Sequence, residues 1–290
     1  ADAAAAAATA AAAAAAPVHK PGALDGSIPP AIGRSLLSDF DSRHGGFGTG
    51  QKFPHPETLD YAILGLAEDR DPRLREIVEK TLSAMAAGGL RDPLSGAFFR
   101  CTEARDWRRP HTEVGLSTNA GLARNYLEAG QLLGRSDYLA IGEAALEMLV
   151  ARLFDEDVGL FAEALDADPG YYALGVAERR TRPGPRSRQR FVASANARMV
   201  SALLKAGAVL GRDDLSQRGA DVAEQLLRRL WQPGKGMIHL VDGRGNRHAG
   251  LLADHAETAR ALLHVLQYRS DRRFMEPLLD LVDLIATRHL

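Results

Sequence analysis

Beyond Pro29, apolar residues recur at steps of three and four along most of the chain, the spacing that lines one face of an α-helix. The pattern predicts helices over 30–41, 56–68, 72–88, 113–133, 137–153, 194–210, 214–231, 253–268 and 272–288. Pro56 and Pro72 fit a first helical turn, where a missing N–H costs nothing, and Asp71 precedes Pro72 as an N-cap. Gly134 and Gly211 stand where a left-handed C-terminal cap is needed.

Two helix pairs repeat. "STNAGLARNYLEAGQLLGRSDYLAIGEAALEML", from Ser117, and "SANARMVSALLKAGAVLGRDDLSQRGADVAEQLL", from Ser194, agree at one constant offset, the 77 residues from Asn119 to Asn196. "ADHAETARALLHVLQYRSDRRFMEPLLDLV", from Ala253, is a looser third copy. Each is a hairpin: an Ala-rich helix, a tight turn, a second helix. Between copies lie longer glycine- and aromatic-bearing segments, "DVGLFAEALDADPGYYALG" and "QPGKGMIHLVDGRGNRHAG". Alternating short and long connections between hairpins predict a closed ring or solenoid. The Ala-rich helices suit a crowded inner ring, and the long loops then gather at one rim, where a rigid scaffold carries function. "GGFGTGQKFPHP", residues 45–56, is the first of these rim loops.

The composition, with 46% hydrophobic and 25% charged residues in 290, is that of an ordinary globular chain. A formal net charge of -1 gives no global electrostatic reason to expect nucleic acid. One stretch is basic, "ERRTRPGPRSRQR". Arg179–Arg190 within it reads either as a solvated loop or as a docking patch for an acidic partner or anionic lipid headgroups. A single cysteine, Cys101, excludes an intrachain disulfide and leaves the compartment open between cytoplasm and periplasm. No apolar run reaches the roughly 18 residues of a membrane span. "ADAAAAAATAAAAAAAP" carries no fold information, so residues 1–28 are assigned as an Ala-rich tether and 29–290 as the toroid domain.

"FDSRHGGFGTGQKFPHPETL", "TLSAMAAGGLRDPLSGAFFRCTEARDWRRPHTEVGLSTNAGLARNYLEA", "SANARMVSALLKAGAVLG" and "GLLADHAETARALL" occur in the order in which similar stretches occur in the thioredoxin-fused α/α-barrel family that includes the spermatogenesis-associated proteins. The resemblance covers roughly residues 35–290 and implies an all-α toroid of six-hairpin, glycosidase-like type, similar in fold to sugar hydrolases and N-acylglucosamine epimerases. It also marks departures. The paired-cysteine thioredoxin domain has no counterpart in this sequence, and nine helices are predicted where a full ring has twelve. Arg100, Trp107, Pro110, His111, Glu113, Asn119 and Ala120 match the second signature. Phe99, Cys101, Ala104, Val114 and Thr118 stand where the family typically has His, Tyr, Asp, Lys and Asp.

Sugar hydrolysis uses two carboxyls facing one pocket, and epimerisation beside a carbonyl uses a general base and acid. The catalytic candidates are His111 and Glu113, two apart and expected to diverge, with Glu113 alternatively a helix cap. Binding candidates on the rim are Phe47, Lys52, Phe53, Arg100, Trp107, Asn119, Asp166, Asp168, Asp254 and His255, with His44 and His55 nearby. Aromatics there suit stacking on sugar rings or plugging the end of the ring, and Phe47 and Phe53 are expected to pack inward. Lys52 suits a rim carboxylate or an anionic ligand. Asp254 reads first as an N-cap, and Asp166 and Asp168 read equally as turn formers. No dinucleotide or phosphate-loop motif, nucleophile elbow or zinc-ligand spacing is present, so no cofactor or metal is predicted. The loss of ionisable groups within one signature predicts a non-catalytic barrel acting as a binding or structural subunit of a larger assembly. The alternative is a carbohydrate-active hydrolase or epimerase with its pocket at the rim. Phe274, Leu278, Leu281, Val282 and Ile285 form a stripe expected to face an open seam that other protein subunits, a second copy or the Ala-rich segment would cover.

Overall fold

A computed structural model describes residues 26–289, so most of the assigned tether lies outside the described residues, as does the Ala-rich segment weighed as a cover for the seam. Nine helices of twelve or more residues are present among them: α1 (Ile28–Asp39), α2 (Pro56–Asp69), α3 (Pro72–Ala87), α4 (Leu116–Leu133), α5 (Ser136–Leu153), α6 (Ala193–Leu210), α7 (Asp213–Leu230), α8 (Leu252–Arg269) and α9 (Met275–Arg288). Asp71 caps α3 by accepting from the Arg73 N–H at 2.8 Å. Helix α4 starts later than its periodicity predicts, because Val114–Gly115 is extended and pairs with Ala164–Leu165.

Helices α2, α4, α6 and α8 form the inner layer, each followed by an outer partner, α3, α5, α7 and α9. Helices α4, α6 and α8 pack side by side, and α2 lies against α4. The hairpin turns are built alike. Each inner helix ends on a left-handed residue: Arg70, Gly134, Gly211 and Ser270. At Gly207 a Cβ would stand 2.6 Å from the Cβ of Ser216, so glycine is what lets α7 close on α6.

The inner face of the ring is ionic rather than apolar. Arg198 of α6 pairs with Glu57 of α2 and Glu257 of α8. One turn deeper, Asp60 of α2 receives Arg124 of α4 and, at 3.4 Å, Arg260 of α8. Deeper still, Lys205 of α6 meets Glu128 of α4 at 3.4 Å. These pairs tie the first and last inner helices to those between. His264 lies among Arg124, Arg260 and Lys205; burial and those cations push its pKa down to about 4.

The stripe assigned to an open seam is mostly covered by the chain itself. Phe274 and Leu281 are buried, and Leu278 and Ile285 pack half-buried against the core. Val282 of the stripe stays exposed, and with Met275 and Leu279 it forms the apolar line that α9 leaves uncovered.

The rim connections carry short strands, where helix-and-loop periodicity predicted loops. The longest, Gly236–Asp242, pairs with Gly245–Ala249 across the turn at Gly243-Arg244 and with Arg190–Val192 on its other edge. Its apolar run, broken only by His239, is a strand signal too short to stand out beside the helices. Among the described residues, no helix is long and apolar enough to cross a membrane.

Candidate functional site

The rim loop 45–56 owes its shape to Trp107. A Cβ at Gly46, where φ is +70°, would stand 2.5 Å from the indole, and the indole Nε1 donates to the His44 carbonyl at 2.9 Å. Trp107 is itself 2% exposed, so it plugs the end of the ring and is no stacking platform. Lys52 is fully buried. Its ammonium donates to Asp41 at 2.9 Å and to the Gly48 carbonyl at 2.8 Å, so it neutralises a carboxylate of its own loop and is not offered to a ligand. Asp41 also accepts two hydrogen bonds from Arg105, at 2.7 and 3.0 Å, and these hold its carboxyl well below the usual range.

The same scaffolding places His55 and Phe53 at the surface. His55 adopts the left-handed region, φ 47°, an uncommon conformation for a residue with a side chain. Partial desolvation of the ring, with Lys52 nearby, lowers its pKa. Phe47 is half-buried as expected, but Phe53 is 38% exposed, because the chain turns outward ahead of α2. Phe53, His55, Glu57, Arg100, Glu113 and Thr118 line a cleft of about 380 Å³ at the N-terminal ends of α2 and α4. Arg100 Nη1 reaches Glu113 at 3.4 Å, Arg188 Nη2 reaches its other oxygen at 3.3 Å, and Arg188 continues to Asp166 at 2.8 Å. At Glu57, burial works against ionisation but is outweighed by a backbone hydrogen bond and Arg198, and the pKa falls.

His111 does not join this cleft. Its backbone pairs with Cys101 in a two-stranded ladder and its side chain is exposed, while Glu113 faces the cleft. Asp168 accepts from the Tyr171 N–H at 2.8 Å and caps the one-turn helix Pro169–Tyr172, which is the turn-forming reading.

Asn119 and His255 are struts, and the repeat shows why. Asn119 accepts from the Phe98 N–H at 2.7 Å and donates to the carbonyls of Phe98 and Gly115. Asn196 does the same one repeat later, with the Phe161 N–H and the carbonyls of Phe161 and Val192. In the third copy His255 takes this place, its Nε2 accepting from the Met237 N–H at 3.0 Å. Each pins the preceding rim segment to the first turn of an inner helix.

Asp254, fully buried, does not cap its own helix. One oxygen accepts from the Ser194 N–H of α6 at 3.1 Å. The other lies 2.9 Å from Nδ1 of His239, a half-buried histidine on the long rim strand. The sequence gives His239 only as one polar position in "MIHLV", 15 residues before its partner. A buried carboxylate on Nδ1 orients the ring and leaves Nε2 free for proton exchange. Among the described residues, no group of three or more His, Cys, Asp or Glu could hold a metal ion.

This architecture is an α/α toroid of the six-hairpin glycosidase-like kind, with one of its clefts at the N-terminal ends of inner helices α2 and α4. The resemblance to spermatogenesis-associated barrels holds: the chain is similar to human spermatogenesis-associated protein 20, 34% identical over 139 residues, which are 47% of this chain and 18% of that protein. The mouse protein of the same name is 32% identical over the same length. The chain thus matches less than a fifth of the length of these relatives. No family model matches it. Among solved structures it resembles cellobiose 2-epimerase from Bacillus thermoamylovorans, with a TM-score of 0.70 at 10% identity over 88% of this chain and 68% of that one. It also resembles a family 105 glycoside hydrolase from C. acetobutylicum, with a TM-score of 0.65 at 15% identity over 91% of this chain and 72% of that one. At such identities the likeness is one of fold.

Proposed function

We propose that this toroid is a binding subunit whose rim cleft takes a sugar-like, polyhydroxylated molecule without turning it over. The observation that carries the reading is the pairing of the cleft's carboxylates. Glu113 is bracketed by Arg100 and Arg188, and Glu57 is paired with Arg198. Both carboxylates are committed to guanidinium partners, whereas glycoside cleavage uses a pair of carboxyl groups directed at the scissile bond. Binding chemistry remains: Phe53 offers an exposed ring face, and Arg100, Thr118 and Glu113 offer hydrogen-bonding groups around it. The sugar class is supported further by fold neighbours named as an epimerase and a glycoside hydrolase. Titration calorimetry with a panel of glucose, mannose, N-acetylglucosamine and cellobiose tests it. At least one sugar should bind, and Phe53→Ala should weaken that binding about tenfold with an unchanged melting temperature. Absence of binding across the panel, or equal binding by the variant, refutes the reading.

A second reading has one observation in its favour. The His239–Asp254 pair has the arrangement of a proton-transfer dyad, which supports an epimerase-like reaction at the same rim. Turnover of a panel sugar that His239→Gln abolishes would establish it in place of the first.

The subunit part of the proposal is supported by Met275, Leu279 and Val282, exposed one helical turn apart on α9.

A further inference from the structure

We propose that the outer face between the 91–96 loop, α5 and the arginine-rich segment is a docking groove for an acidic polypeptide segment bearing apolar side chains. A cleft of about 430 Å³ opens there, lined by Arg91, Leu94, Met148, Arg152, Tyr171 and Tyr172 among others. A neighbouring cleft of about 270 Å³ shares Leu94, Ser95 and Tyr171 with it and extends to Val176 and Arg180, so the two run on as one groove.

The floor is rigid. Arg179 donates to both oxygens of Asp92, at 2.7 and 3.0 Å, and to the carbonyls of Tyr172 and Leu174. Its guanidinium also lies over the rings of Tyr171 and Tyr172, 5.2 and 5.3 Å from their centres. This arginine is committed to the fold, as are Arg188 and Arg190, which pair with Asp166, Glu113 and Glu163. The basic stretch is therefore not one uniform patch.

Of the remaining cations, Arg91, Arg152 and Arg180 line the groove. Arg91 has no ion-pair partner among the described residues, and its Nε is enclosed without an acceptor. Arg152 donates to a carbonyl, that of Pro185, and Arg180, Arg182 and Arg186 are exposed on the following segment. Of the nearby carboxylates, Glu147 lies 3.6 Å from Arg212, and Glu178 accepts from the Gly175 N–H. With Arg91, Arg152, Arg179 and Arg180 against Glu147, the lining of the groove carries more formal positive than negative charge.

Two apolar residues fix the class of partner. Leu94 and Val176 are 48% and 52% exposed on its walls. A small inorganic anion would use neither. A flat bilayer cannot enter a concavity, whereas an extended chain can place carboxylates on the arginines and apolar side chains against Leu94, Val176 and Tyr171.

The test is fluorescence anisotropy on the full chain with a labelled twelve-residue peptide of Glu and Asp carrying two leucines. Saturable binding that weakens with salt is expected. Arg180→Glu with Arg182→Glu should weaken it about tenfold, and Leu94→Ser with Val176→Ser about fivefold. Circular dichroism checks that both variants keep their helices. A peptide with serine in place of leucine should lose the same fivefold. Failure to saturate at millimolar peptide, affinity unchanged in both variants, or tighter association with phosphatidylserine vesicles than with the peptide would overturn the proposal.

Discussion

At the residue scale, the polar groups that hold the rim are three equivalent side chains, Asn119, Asn196 and His255, each bonded to a buried backbone group of the preceding rim segment. Removing Asn196 takes its side-chain partner from the Phe161 N–H and C=O, and a buried polar group left stranded costs roughly 1–3 kcal/mol. Asn196→Ala is therefore expected to lower stability by about 3 kcal/mol in chemical denaturation, while His255→Asn, which restores the amide of the other repeats, should cost less. Asn119 was legible in the sequence as a rim residue, but its role was not. The pattern places it at the rim, yet only the three-dimensional repeat shows it facing backbone rather than the cleft. For Trp107 and Lys52 the sequence left two readings open for the same reason: a glycine-rich loop gives no sign of which of its large side chains turn inward, and the structure selects the plug and the rim carboxylate. His264 adds a pH effect. Its folded pKa is about 4, below the 6.5 expected when unfolded, so the unfolded chain takes up the proton first. Its contribution is thus fully present above pH 6.5 and is lost as pH falls toward 4. Stability measured across that window should fall with acid, and His264→Gln should flatten the slope. An equal slope in the variant would remove His264 as its source.

At the element scale, all nine long helices were legible, because a 3.6-residue period sustained over 12 to 18 residues is a strong signal. The rim strands, most of them two residues long, were not, since pairs of this length are fixed by their partners across the rim and not by any local period. The shared left-handed helix ends give a prediction. Gly134 and Gly211 adopt φ of 68° and 69° at no steric cost, but Ser270 holds 56° at the same place in the third hairpin. Ser270→Gly should raise stability, by about 0.5–1 kcal/mol, read as an increase in melting temperature. A decrease would mean that the hydroxyl of Ser270 contributes more than the relief of backbone strain.

At the scale of the whole molecule, the ion pairs on the inner face and the exposed line on α9 describe a ring fastened across its axis and apolar along one outer edge. Sedimentation at micromolar concentration should show species heavier than one chain, reduced to a monomer by Leu279→Asp with Val282→Asp; a wild-type monomer would speak against the assembly role. Most direct is the chemistry at the rim. The chain, incubated with the four-sugar panel in D2O, can be followed by NMR for saturation transfer to the sugar, for loss of the proton next to the carbonyl, and for cleavage. The expected result is saturation transfer to at least one sugar, lost in Phe53→Ala, with no deuterium incorporation and no bond broken beyond the buffer rate. Deuterium appearing in the sugar at a rate that His239→Gln abolishes, or cleavage that Glu113→Gln abolishes, would contradict binding without turnover.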